Sequence, residues 1–94
     1  MDTTEAEGIA TRFLGQPEPD AGFQYVILDD YTIERARCFV FFYESSRYLK
    51  SEKFEDRLAG NSPILVEKET GKPHWLGTSR TVEYYIAEFE TRPR

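Results

Sequence analysis

The sequence predicts an α+β domain: a four-stranded, mainly antiparallel sheet, with N- and C-terminal helices packed on one face and a short helix between two hairpins. Two observations carry this. Apolar residues recur at helical spacing near both ends of the chain. Between them, four short runs rich in β-branched and aromatic residues fall into two consecutive pairs. At 94 residues the chain is a single domain over 1–94, long enough for one two-layer core and too short for two.

Residues 3–15 form the first helix. Thr3 or Thr4 caps it, Glu5 and Glu7 suit the positive end of its dipole, and Ala6, Ile9, Ala10, Phe13 and Leu14 make one apolar stripe. Gly15 stops it, and "QPEPDAG" is a connecting loop. Residues 24–35, "QYVILDDYTIER", read as a strand bent at Asp29-Asp30. Residues 38–45, "CFVFFYES", are the next strand, and the short gap at Arg35-Ala36-Arg37 makes the pair an antiparallel hairpin. Ser45-Ser46 then caps a helical turn through Tyr48 and Leu49. "SEKFEDRLAGN" follows with Phe54 and Leu58 at helical spacing and Gly60-Asn61 as terminator.

The second hairpin is clearer. In "PILVEKETGKPHWLG" an apolar run at 64–66 leads to a Glu-Thr-Gly turn, with Gly71 available for positive φ, and to a return strand at 74–76. Pro73 lacks an N–H, which puts that return strand at a sheet edge or the proline at its start. The last element, "TSRTVEYYIAEFE", is an amphipathic helix capped by Ser79 or Thr78, with Val82, Tyr85, Ile86 and Phe89 at i, i+3, i+4 and i+7.

The 38–45 strand raises the functional question. Phe39, Phe41 and Tyr43 point to one side, and Cys38, Val40 and Phe42 to the other, so both faces are apolar. Two short helices on one side would leave part of the set Tyr25, Ile27, Phe39, Phe41, Tyr43 and Trp75 without cover. Such rings either fill the core or form an aromatic face that another protein covers. Trp75, beside His74 on the edge strand, is the anchor candidate.

Charge narrows the partners. The chain carries a net −5, and residues 1–34 hold eight acids against one base. That acidic front repels phosphate backbones, which argues against nucleic acid and leaves a basic protein partner open. A single cysteine rules out an internal disulfide and fits a reducing compartment. "MDTTEAEG" lacks the order of a secretory signal, and no apolar run approaches the ~18 residues of a membrane span. A cytoplasmic protein is expected, with no membrane partner.

Chemistry is sparse. One His and one Cys, without CxxC or HxxxH spacing, make neither a standard metal site nor a recognisable nucleophile with its orienting group. Cys38 inside an aromatic strand reads as a small buried hydrophobe. The glycines at 60, 71 and 77 are isolated turn residues, and Asp29-Asp30, adjacent on a strand, point opposite ways. No cofactor is expected, and no enzymatic activity.

Four stretches then stand out together: "TIER" at 32–35, "FVFFYESSRYL" at 39–49, "LAGNSPILVEKETGK" at 58–72 and "LGTSRTVEYYIAEFE" at 76–90. In this order they resemble the bacterial immunity protein 35 domain family, which includes the YrhB-like heat-stable proteins; the first 24 residues match only as helix and loop. Family members place Gly-Trp ahead of the "VFFY" run, where this chain has Cys38-Phe39, so a role of that Trp would pass to Phe39 or Trp75. The resemblance implies an immunity protein of a polymorphic-toxin system, which binds a cognate protein toxin and blocks it. On that reading Tyr25, Phe39, Phe41, Tyr43, His74 and Trp75 hold the partner, and Asp29, Asp30 and Glu34 belong to the acidic surface that attracts it. A chaperone-like protein binding unfolded clients, or a homodimer of another role, are the competing readings, and monomer or homodimer stays open.

Overall fold

The computed structural model describes residues 1–53 and 62–93. Helix α1 spans Thr3–Leu14 and is capped one residue earlier than the threonines suggest: the Asp2 carboxylate accepts the Glu5 N–H at 2.8 Å. Gly15 ends it at φ 72, a left-handed value that suits glycine. Ala6 and Ala10 are completely buried, and their small side chains let α1 lie close on the sheet.

The first hairpin is a single bent ribbon. β1 (Tyr25–Ile27) leads to a 3₁₀ turn at Asp29–Tyr31 and then β2 (Ile33–Glu34); β3 (Cys38–Phe41) and β4 (Tyr43–Ser45) return along it. β1 pairs with β4 and β2 with β3, both antiparallel, in the registers Ile27↔Tyr43 and Ile33↔Val40. The Leu28 N–H donates to the Phe42 carbonyl at 2.8 Å between the two halves. The bend expected at Asp29-Asp30 is therefore present, as one helical turn that splits each long strand in two.

α2 (Ser46–Ser51) follows, with the Ser45 hydroxyl accepting the Tyr48 N–H. The helix expected around Phe54 and Leu58, with its Gly60-Asn61 terminator, lies outside the described residues. β5 (Ile64–Glu67) and β6 (Pro73–Trp75) form the second hairpin around Gly71 at φ 75. The sheet order is β2-β3-β5-β6, so β6 is an edge strand, as Pro73 implied. The Glu67 N–H bonds the Lys72 carbonyl and the Leu76 N–H the Pro63 carbonyl; by alternation Pro73 turns its donorless nitrogen away from β5, where no ladder bond is lost. α3 (Val82–Glu90) is capped by Thr81, whose hydroxyl accepts the Tyr84 N–H, and not by Thr78 or Ser79.

The α+β class holds, with an antiparallel four-stranded sheet. The placement of the terminal helices on one face is corrected: they lie on opposite faces. Phe39, Phe41, Tyr43, Ile64 and Val66 pack with Ala6 and Ala10 of α1. Cys38, Val40, Leu65 and Leu76 pack with Ile86 and Phe89 of α3. The reason lies in β3, whose four residues are all buried. A strand apolar on both sides needs a layer on each, and one helix per side supplies it.

Candidate partner-binding surfaces

On the α1 side, five rings run in sequence along the sheet. Phe23 lies 5.8 Å from Tyr25, Tyr25 5.8 Å from Tyr43, Tyr43 6.4 Å from Trp75, and Trp75 4.9 Å from Phe13, centroid to centroid. Strand parity explains the middle of the row. Tyr25 and Tyr43 share a face across the β1–β4 pair, and Trp75 sits opposite Ile64 on β6. Trp75 ends the row 49% exposed, while Tyr43 is buried and its phenol is raised in pKa, first by desolvation and then by Tyr25. The Gln16 side chain accepts the Tyr25 N–H at 3.1 Å, and the Arg47 guanidinium lies over Phe23 while donating to the Ala21 carbonyl.

The predicted contact residues thus divide. Tyr25, Tyr43 and Trp75 come together. Phe39 and Phe41 do not reach the surface: they stack on each other at 6.2 Å beneath α1, fully buried, and their role is core. His74 points the other way from Trp75, as neighbours on a strand must. Its Nε2 meets Glu67 Oε2, and its ring packs toward Phe89. Glu67 also accepts from the Thr70 hydroxyl at 3.0 Å, and these partners, His74 foremost, hold its carboxyl below the ordinary value against the opposing pull of burial. Phe13 and Phe23 belong to the row and were not among the predicted residues.

The three acids are dispersed. Asp29 and Asp30 lie exposed in the 3₁₀ turn. Asp29 reaches Glu7 of α1, and hydrogen bonding to Asp29, desolvation and its negative charge together raise the Glu7 carboxyl to about 7. Glu34 is on another flank, where Lys68 Nζ donates to it at 2.7 Å and lies over the Phe39 ring.

A second surface lies behind the ribbon. α3 covers Cys38 and Val40, yet it is nine residues long, roughly 13 Å of helix, and Phe42 is only partly buried at its margin. Beyond it, Leu28, Tyr31, Ile33, Phe42, Glu44, Tyr48 and Leu49 line an open groove of about 570 Å³. Tyr31 and Leu49 stand 66% and 46% exposed on its walls. The sequence signal for this groove was the apolar second face of the 38–45 strand.

The single cysteine is shielded. Desolvation, more than the nearby Glu90 carboxylate, pushes the Cys38 thiol up to about 12, so it stays protonated near neutrality and is a poor nucleophile. Arg37, read only as part of a turn, ties α3 down: its Nη1 donates to the Phe89, Glu90 and Arg92 carbonyls at 3.3, 3.0 and 2.6 Å. No described helix is long and apolar enough to cross a membrane.

These features define a small α+β domain with a row of rings reaching a sheet edge and an open apolar groove behind the ribbon. The chain belongs to the immunity protein 35 family, whose model matches residues 4–88, so all of α1 but Thr3 lies inside the family match as well. It is 35% identical over 52 residues to the protein YrhB of Escherichia coli strain K12, a stretch covering 55% of this chain and 55% of that relative. The chain therefore spans about half the length of this relative. No solved structure matches it.

Proposed function

We propose that this protein is an immunity protein that binds a cognate toxin inside the cell producing both and neutralises it by docking, without catalysis. Membership of the immunity protein 35 family supports the class. The observation that carries the docking mode is the half-exposed Trp75 at the end of a row of rings on a sheet edge. A large amphipathic ring held by Phe13 and Tyr43 loses little freedom on binding, which is the usual property of an interface anchor. The net −5 charge favours encounter with a basic partner face.

Co-expression with candidate toxin domains cloned from the neighbouring reading frames tests the reading: one of them should be neutralised, growth should be rescued, and a stoichiometric complex should form. Trp75→Ala should weaken that complex by at least about 2 kcal/mol, roughly 30-fold, with the melting temperature nearly unchanged. Failure of the unmodified protein to rescue would end the toxin reading. Unfolding of Trp75→Ala would place that ring in the core and end the assignment of this site.

A further inference from the structure

We propose that the groove between β4, α2 and the Asp29–Tyr31 turn is a docking surface for a basic amphipathic segment of another protein. It is separate from the Trp75 row and does not depend on the partner being a toxin. Trp75 meets Tyr43 on the α1 side of the ribbon, whereas Phe42 and Glu44, of opposite parity, open into the groove.

The shape fits a side-chain-bearing face. Leu28, Ile33 and Phe42 supply an apolar floor, and Tyr31, Tyr48 and Leu49 rise around it. Its volume, about 570 Å³, falls within the ~300–1,000 Å³ typical of pockets that desolvate their ligands. Large apolar side chains left this exposed side by side are unusual on a surface that nothing covers. An amphipathic helix laying its apolar stripe into such a groove is a recurrent mode of recognition.

The charge selects the occupant. Among the described lining residues the single charged one is Glu44, buried to 7% exposure with its Oε2 accepting the Ser45 N–H. Asp30 stands exposed in the turn between Leu28 and Tyr31, next to Asp29, whose carboxyl engages Glu7 of α1. Among the described residues of α2, Arg47 is engaged with Ala21 and Phe23, and Lys50 lines a neighbouring hollow with it. Lys or Arg flanking an apolar stripe would meet these acids favourably. A second copy of the chain, itself at −5, would oppose acid to acid, and an anionic membrane would be repelled.

The probe is a synthetic peptide of Leu and Lys at helical spacing, with a Leu–Glu counterpart as control, titrated into the isotope-labelled protein. The Leu–Lys peptide should shift the amides of Leu28, Tyr31, Ile33, Phe42 and Leu49 and leave Trp75 unmoved. Tyr31→Ser with Leu49→Ser, both at exposed positions, should weaken binding at least tenfold, and Asp30→Asn should reduce its salt dependence. Asp20→Asn, an exposed acid in the 16–22 loop, should leave affinity unchanged. Shifts spread evenly over the acidic surface, equal binding of the Leu–Glu peptide, or groove shifts on concentrating the protein alone would each overturn the proposal. Because no toxin is used, this result and the rescue experiment fail independently.

Discussion

Glu7 and Glu67 are pushed in opposite directions by what faces them. Glu67, bonded to His74 and Thr70, ionises below the ordinary 4.5 in the folded state. Its contribution to stability is therefore complete above about pH 4.5 and fades as pH falls through the depressed folded value. Glu7, facing Asp29, is raised from 4.5 to about 7, so the folded state keeps a proton that the unfolded chain has lost. Its contribution is complete below 4.5 and is lost as pH rises through about 7. Two variants separate these effects in thermal melts between about pH 2 and about pH 8. Glu67→Gln should fall below the parent at neutral pH, the gap closing in acid. Glu7→Gln should rise above the parent as pH passes 7, where the parent alone must hold two facing carboxylates, and match it in acid. A constant offset across the range would mean that neither pair titrates as its geometry requires.

At the scale of elements, short-range pattern and long-range placement part company. Both hairpins and both terminal helices follow from period, proline and glycine, and the bend at Asp29-Asp30 was visible as two acids breaking an apolar run. Tyr25, Tyr43 and Trp75 already stood together as rings that two helices could leave uncovered, but their shared face follows only from the strand registers. Phe13 escaped because its helical stripe already explained it, and Phe23 because it lies in a loop with no period. The side on which α3 docks was not legible, since both faces of β3 are apolar and only burial of the whole strand decides. The groove depended on that choice, being the part of the second face that a nine-residue helix does not reach. Arg37 shows the same limit: next in sequence to β3, it acts on residues more than fifty positions away. Its guanidinium satisfies terminal carbonyls of α3, lies over the Phe89 ring, and sets a positive charge at the negative end of the helix dipole. Arg37→Ala should destabilise the fold by about 2 kcal/mol, within the range for hydrogen bonds to a charged group, and should speed amide exchange in α3 before α1. Equal acceleration in both helices would show that Arg37 acts on the whole core.

For the whole molecule, the consequential fact is that one strand is shared by two layers. Phe39 and Phe41 of β3 pack toward α1 while Cys38 and Val40, alternating with them, pack toward α3. Neither helix can leave without exposing one side of the same backbone, and β5 repeats the arrangement with Ile64 and Val66 against Leu65. Two small cores coupled through common strands should unfold as one unit, as small single domains usually do. The single tryptophan makes this measurable, because Trp75 contacts Phe13 and Tyr43 and so reports the α1 layer, while far-ultraviolet dichroism reports the helices of both layers. Urea transitions followed by the two signals should coincide. Phe41→Ala should lower their common midpoint, at about 3–5 kcal/mol for a large ring removed from a packed core, without separating them. Val40→Ala, on the other side of the strand, should also move both signals together. If Trp75 emission changed at lower urea than the dichroism, the α1 layer would open on its own, and partner binding at the ring row would then be coupled to closing it.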